Sequence, residues 1–353
     1  MNKVKHYFPG GNTSKGFVNY FDGIIAPWVE NKRIYVLKGG PGVGKNTFMK
    51  AFGKKADSKG YDVEYFHCAS DYNSYDAVHI PKLGVTMLDG TAPHVIDPVT
   101  PGAIDGIINL GQYLDEKGLE TKRENILSLG RDNQRGYRRT FAYLGAAGRL
   151  QESTNYLYMC ALNREELRAE VQEVFGTNEL KRGRNHGKVR RLFADAITPQ
   201  GMIDVFDTIV SNEKIISLHG PNVIANEFIN LALHFCMFMG YGCEVYHNSL
   251  LPDNVEHLII KDLGLCITTQ LAFAKQIEKI IDLTYLLNQT VVDKYESTFA
   301  FNELYEKQLL EAAIESLMQT KQIHDDLEAV YKEYMDFEQV NKLTKEFLKE
   351  FFR

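Results

Sequence analysis

Two stretches of the chain repeat one pattern of apolar and polar positions. A β-branched and aromatic run, "RIYVL" from Arg33 or "KIISL" from Lys214, reads as a buried strand. A Gly/Pro loop follows, and then a helical stretch that ends at Gly60 or Gly240. A second strand is expected at "DVEYFHC" or "GCEVYHN", and a third at "LGVTML" or "LGLCIT". Strand, helix and strand joined by crossovers predict a parallel sheet covered by helices. Downstream of each sheet the pattern turns helical, in "RRTFAYLGAAGRLQESTNYLYMCALNREELRAEVQEVF" and in "NELYEKQLLEAAIESLMQTKQIHDDLEAVYKEYMDF". Both read as helical hairpins. The expected fold class is therefore α/β, with two tandem parallel-sheet domains that each carry an added helical hairpin. Pro199 and Gly201 interrupt the pattern near "FADAITPQG", which sets the expected domains at 1–195 and 196–353.

The two domains read as copies. At a shift of 180 positions, Pro41 falls on Pro221, Val43 on Val223, Asn46 on Asn226 and Phe48 on Phe228. Gly60 and Tyr61 fall on Gly240 and Tyr241, Glu64 on Glu244, His67 on His247, and Leu83-Gly84 on Leu263-Gly264, with no gap expected between them. Upstream the shift becomes 185, where "GFVNYFDGII" pairs with "GMIDVFDTIV".

Composition narrows the partners. The chain has 353 residues, 44% hydrophobic and 24% charged, so it can bury ordinary cores in about two domains. A formal net charge of −6 gives no global pull toward nucleic acid or anionic lipid. The N-terminus, "MNKVKHYFPGG", has no secretory pattern. The most apolar helical segment, "FINLALHFCMFMGYG", is too short for a bilayer and reads as a buried helix, so no membrane partner is expected. Five cysteines without CxxC spacing argue against a disulfide framework and a cysteine-rich zinc site; a reducing, cytoplasmic setting is expected.

The first loop carries the chemistry. "KGGPGVGKNTF" matches G-x-x-x-x-G-K-[ST] at Gly39, Gly44 and Lys45, with Gly40, Pro41, Gly42 and Val43 between them. Glycines let the backbone curl so that successive N–H groups face phosphate oxygens, and the helix that follows adds its positive end. Lys45 is expected to bridge the outer phosphates. Where the template has a magnesium-binding hydroxyl, this chain has Asn46, whose amide oxygen could meet Mg2+ directly or through water; helix capping is the alternative. Thr47 is placed to bond an inner phosphate. Asp89, at the end of an apolar strand, suits a Walker B aspartate holding magnesium. His94 and Asp97 are candidates for positioning water or substrate, with loop and turn roles as the alternative, and Asp71 is weighed in the same way.

The second copy sharpens the choice. It has Asn222 for Gly42, Ile224 for Gly44, Ala225 for Lys45, Glu227 for Thr47, Leu251 for Asp71 and Thr269 for Asp89. Those are the positions that phosphate and metal chemistry needs. His67, retained as His247, reads instead as packing or capping. The second loop is expected to repel a nucleotide.

"LKGGPGVGK", "VEYFHCASD", "LGVTMLDGTAPHVIDP" and "KVRRLFADAITPQG" resemble a family of duplicated bacterial P-loop proteins described as ATPases or nucleotide kinases. The resemblance spans both halves. It implies P-loop NTPase-like domains and ATP binding in the first half, carried onto Gly39, Gly42, Gly44, Lys45, Thr47 and Asp89; Asn46 departs from the usual serine or threonine. The basic stretch "KRGRNHGKVRRLF" offers Arg184, Arg190 or Arg191 as a transition-state cation, with a solvated linker as the alternative. It lacks the aromatic interleaving of single-strand binders, which makes nucleic acid an unfavoured partner. "NKLTKEFLKEFFR" reads as an amphipathic helix packing on the second domain or on another subunit, so a protein partner or homo-oligomer stays open. The expected activity is a Mg2+-dependent ATPase or nucleotide-kinase-like phosphotransferase; the alternatives are a nucleotide-binding switch and a nucleic-acid-linked adaptor.

Overall fold

A computed structural model describes residues 3–25, 31–92, 95–176, 182–183, 186–270 and 277–353. The first half opens with β1 Val4–Tyr7, β2 Gly10–Thr13, β3 Gly16–Asn19, α1 Asp22–Ile25, β4 Arg33–Lys38 and α2 Lys45–Ser58. It continues with β5 Val63–Cys68, β6 Asp71–Ile80, β7 Val85–Asp89, β8 Asp105–Asn109, α3 Glu116–Glu120, α4 Arg123–Ala161 and α5 Arg164–Phe175. The second half repeats that order. Its elements are β9 Val189–Phe193, β10 Asp195–Thr198, β11 Gly201–Asp204, α6 Phe206–Ile209, β12 Lys214–His219 and α7 Asn222–Met239. Then come β13 Cys243–His247, β14 Val255–Ile260, β15 Leu265–Thr268, β16 Ile277–Asp282, α8 Gln289–Lys294, α9 Glu296–Lys332 and α10 Phe337–Phe351.

The protein is α/β, with two six-stranded sheets in tandem. The first runs β1-β5-β6-β7-β4-β8, and the second runs β9-β13-β14-β15-β12-β16 in the same sequence of equivalents. Neighbouring strands are parallel except where β6 and β14 intervene, each antiparallel to both neighbours. A short corner after β5 sends the chain straight back as β6, so this strand needs no helical crossover.

The second sheet begins before the expected boundary. Strand β9 pairs in parallel with β13, from Val189 with Cys243 to Phe193 with His247, so residues 189–193 belong to the second unit and not to a domain ending at 195. Near this join the halves meet symmetrically: Phe8 and Phe193 exchange backbone hydrogen bonds of 3.1 and 3.0 Å. Such reciprocity is the signature of a two-fold contact, here made within one chain.

The helical additions also cross between halves. α4 runs unbroken for 39 residues and α9 for 37, and the two pack antiparallel on one another, with Gly136 against Thr320 and Arg139 bonded to Ser316 and Gln319. A Cβ on Gly136 would lie 2.2 Å from the Thr320 hydroxyl, so the glycine sets how closely the helices approach. Each long helix then hands its short successor to the opposite sheet. α5 inserts Leu167, Val171 and Phe175 into the core of the second half, among Ile224, Phe228 and Leu258. α10 inserts Val340 into the core of the first, and Phe347 stacks near Tyr35, Phe48 and Phe52. Backbone bonds tie both exchanges: Asp115 N to Tyr334 O and Asp336 N to Tyr113 O on one side, Asn163 N to Leu286 O and Asn288 N to Ala161 O on the other. At roughly 1.5–3 kcal/mol for each fully buried large apolar side chain, the exchanged helices contribute several kcal/mol to the sheets they cover.

The amphipathic C-terminal segment thus packs on the first domain, not the second. Helix α7, read as too short for a bilayer, has 18 residues and is apolar enough to cross one by length and composition. Half of that window is buried, against α5 and β14, which makes it a core helix.

Candidate functional site

Strands β4 and β7 lie side by side and parallel, with Leu37 opposite Asp89. The carboxylate therefore sits beside the loop that leaves β4, at the carboxyl end of the sheet, where open α/β sheets place their ligand crevices. Three glycines shape the loop: Gly39, Gly42 and Gly44 have φ of +145°, +71° and +98°. An L-residue resists this left-handed region, so the sequence needs glycine at these positions to fold the turn. Val43 points inward and is 1% exposed, anchoring the loop on Phe48 and Phe52.

The turn leaves its amides free. Phe48 N bonds to Gly44 O at 3.0 Å, the first bond of α2, but among the described residues no protein group accepts from the backbone N–H of Val43, Gly44, Lys45, Asn46 or Thr47. The Lys45 ammonium folds over the loop, donating to Gly39 O at 2.9 Å and Gly40 O at 2.8 Å, and lies 3.6 Å from Asp89 Oδ2. Asp89 Oδ1 accepts from the Thr91 amide and hydroxyl, at 2.9 and 2.6 Å, which fixes the carboxylate with Oδ2 toward Lys45.

Asn46 has another occupation. Its Oδ1 accepts from Tyr75 N at 3.2 Å, and its Nδ2 donates to Ser74 Oγ at 3.0 Å. The residue that caps α2 is Gly44, with no side-chain bond, so Asn46 is neither the helix cap nor an amide aimed at a metal. Its counterpart in the second half is engaged alike, with Asn226 Oδ1 accepting from Val255 N at 2.7 Å. Both asparagines clamp the helix to the antiparallel strand beside it, which explains why the pair survives in both copies. Asp71 joins this clamp as a turn residue, accepting from Asn73 N at 3.2 Å and from Ser74 Oγ at 2.6 Å. The local structure accounts for it without a reacting group.

The other candidates divide as follows. Asp97 pairs with Lys38 at 2.7 Å, and the same ammonium donates to the Gly90 and Ile96 carbonyls, so the segment after β7 is tied to the end of β4. His94 and Arg184 lie outside the described residues. Arg190 is largely buried at the join, where it holds Glu64 at 2.7 Å and Glu244 at 3.2 Å, donates to Gly23 O and stacks over Tyr7 and Phe66. Burial alone would push the Glu244 carboxyl up; Lys261 and Arg190 bring it down to about 2. Arg191 donates to His247 Nε2 at 3.0 Å, as His6 meets His67 at 2.8 Å in the first half. Both arginines are committed inside the protein. His67 and His247 are buried, and that burial lowers each to about 4, which keeps them neutral packing groups.

The second loop departs more deeply than a loss of side chains. Gly220, with φ +134°, follows β12 as Gly39 follows β4, yet Gly220 to Asn226 is one residue shorter than Gly39 to Asn46. The ungapped register expected across this loop therefore fails by one position. α7 starts at Asn222, directly after Pro221, and Ile224 N and Ala225 N both bond to Pro221 O, at 2.9 and 3.2 Å. Without glycine at the positions that need φ > 0, the chain stays in the α region and winds the loop into helix.

Sequence reasoning missed the wall opposite the first loop. A Cβ on Gly40 would lie 3.0 Å from the Tyr331 ring, and one on Gly42 would lie 2.8 Å from Glu328 O and 3.2 Å from Lys332 Cγ. These residues end α9, almost 300 positions away in the chain. No local pattern announces them, because only the helix exchange brings them here. Comparisons with protein-family models, curated proteins and solved structures return no match.

Proposed function

We propose that the first half binds a nucleoside triphosphate, ATP on the resemblance of its motifs, with the phosphates seated on the amides of residues 43–47. The observation that carries this reading is the contrast between those amides, which no protein group among the described residues accepts, and the amides of Ile224 and Ala225, which the Pro221 carbonyl takes. Free amides at a helix start, behind a glycine turn, form an anion seat. On binding, the Lys45 ammonium exchanges two loop carbonyls for phosphate oxygens, a charge-assisted contact stronger than the ones it leaves. Asp89 Oδ2, already facing Lys45, keeps that ammonium oriented.

The donor set suits the nucleotide better than it suits the metal. Asn46 is engaged with Tyr75 and Ser74, so it does not fit the magnesium role expected of it, and Asp89 Oδ2 is the one carboxylate oxygen toward the loop with no bonded hydrogen donor among the described residues. Mg2+ would bring charge neutralisation to the outer phosphates and be held mainly by them and by Asp89. Hydrolysis or phosphoryl transfer is the first reading of the bound state. The commitment of Asn46 favours a second, a nucleotide-holding switch with slow turnover. A third use, nucleic-acid binding through the basic stretch, is weakened because Arg190 and Arg191 are spent on internal partners.

Calorimetry with ATP on the intact chain tests the binding, and release of free phosphate tests the turnover. Lys45→Ala is expected to weaken ATP binding by at least about tenfold, the scale of a lost charge-assisted hydrogen bond. Wild-type protein that ignores triphosphate would sink the proposal; binding without phosphate release or acceptor phosphorylation would select the switch.

A further inference from the structure

We infer that the second half completes the phosphate site of the first, and that Lys332 at the end of α9 is the cation it supplies. This rests on the nucleotide reading above. The spacing of the helical elements makes the two long helices comparable position by position: α3, α4 and α5 begin at 116, 123 and 164, while α8, α9 and α10 begin at 289, 296 and 337, a uniform shift of 173. α9 ends over the open loop of the first half, while the end of α4 packs on α7, the helix into which the second loop is wound, with Tyr158 and Met159 against the core of that half.

The last turns over the open loop are the more charged: among the described residues the matching stretch of α4 has one ion pair, Arg149 with Glu152 at 2.7 Å, and α9 has two made by lysines. Lys321 pairs with Asp325 at 2.7 Å, and Lys332 pairs with Glu328 at 2.7 Å. At the shift of 173, Lys321, Asp325, Glu328 and Lys332 correspond in α4 to Gly148, Glu152, Asn155 and Met159. Tyr331, by contrast, corresponds to Tyr158, and the ring is kept on both sides. Packing is retained where both sheets need it, and the two cations are present only where amides are free. A separate observation places the lysine: its Cγ comes within 3.2 Å of the point where Gly42 would carry a Cβ, while its side chain stays half exposed. The stem therefore lies along the loop, and the ammonium, now bound to Glu328 Oε2, has room to turn. A helix C-terminus is an unfavourable neighbour for phosphate because of its exposed carbonyls. A lysine in its last turn reverses that local sign. Glu328 competes with phosphate for the same ammonium, so the pair acts as a latch that arriving phosphate must open.

Calorimetric titration of ATP, ADP and adenosine into wild type, Lys332→Met, Lys332→Arg and Glu328→Gln tests the assignment. Lys332→Met installs the residue found at the equivalent place in α4. It is expected to weaken ATP about tenfold and to leave adenosine unchanged, as loss of one charged phosphate contact requires. Lys332→Arg should recover most of the affinity. Glu328→Gln should tighten ATP severalfold by releasing the ammonium and removing a like charge. A purely structural ion pair predicts that Lys332→Met and Glu328→Gln shift in the same direction, and an exposed i,i+4 pair contributes too little to stability for either variant to unfold. Normal wild-type binding with ATP affinity unmoved by Lys332→Met, or both substitutions weakening it, overturns this inference and leaves the nucleotide reading standing. Failure of wild type to bind overturns both.

Discussion

The segments after β4 and after β12 leave equivalent strands in sheets of identical order, yet one becomes an open turn and the other a helix. The first has glycine at each of three left-handed positions, and α2 cannot begin before Lys45. The second keeps only the first of these glycines and is a residue shorter, so α7 begins at Asn222 and the Pro221 carbonyl takes the amides of Ile224 and Ala225. Both keep the apolar valine, Val43 or Val223, and the asparagine clamp. The difference teaches that a binding loop is lost at the backbone as well as at the side chains. What survives in both copies is what packing needs.

The comparison can be broken first at the join. Arg190→Met leaves the buried Glu64 carboxylate without its cation and Glu244 with Lys261 alone, and it should cost about 3–5 kcal/mol in urea unfolding, the usual penalty for removing one partner of a buried ion pair. Adding Glu64→Gln and Glu244→Gln should recover much of that loss. Failure of Arg190→Met to destabilise would show that the ion pair does not hold the halves together.

A smaller effect follows from His67, which is about 4 in the folded protein against 6.5 unfolded. The folded state refuses a proton that the unfolded state accepts, so its contribution is full above pH 6.5 and is lost as the pH falls toward 4. Urea unfolding of wild type and His67→Gln across that window should show their difference shifting against wild type by on the order of 2 kcal/mol at the acid end. A gap independent of pH would show that the histidine titrates normally.

At the loop itself, Gly44→Ala forces a side chain to φ +98° and is expected to cost about 1–2 kcal/mol while weakening ATP binding. Thermal unfolding and calorimetry on the same variant separate the two effects. The smallest expected change sharpens the contrast most. Asn222→Gly, Ile224→Gly and Ala225→Lys together restore the lost letters to the second half, and with the loop still one residue short they should confer no measurable triphosphate binding at that site, read by calorimetry in a Lys45→Ala background. Recovered binding would mean that side chains alone had closed it.

Much of this is legible in the sequence because it is local. "RIYVL" and "KIISL" alternate too little to be anything but buried strands, and β4 and β12 run through them. Gly39, Gly44, Lys45 and Asp89 come together as their spacing implies. The strands β1 and β9 are hidden because "VKHY" and "VRRLF" mix charge into short parallel edges. β6 is hidden because its opening "DYNS" carries turn chemistry, which the structure uses at Asp71 before the strand proceeds. The partners of the added helices are hidden for a different reason. Periodicity shows that a segment is helical and amphipathic, but it does not say which surface receives the apolar face; α4 and α9 find each other, and α5 and α10 find opposite sheets. Arg190 reads as a solvated linker cation because its partners, Glu64 and Glu244, are distant in sequence and sit one on each half.

The crossed short helices have a further consequence for the polypeptide as a material object. A protease nick between Phe175 and Val189 would not release two fragments, since α5 would stay lodged in the core of one piece and α10 in the core of the other. The severed molecule should migrate intact on a sizing column and come apart only in denaturant, behaving as a knotless interlock whose parts lose their cooperativity together.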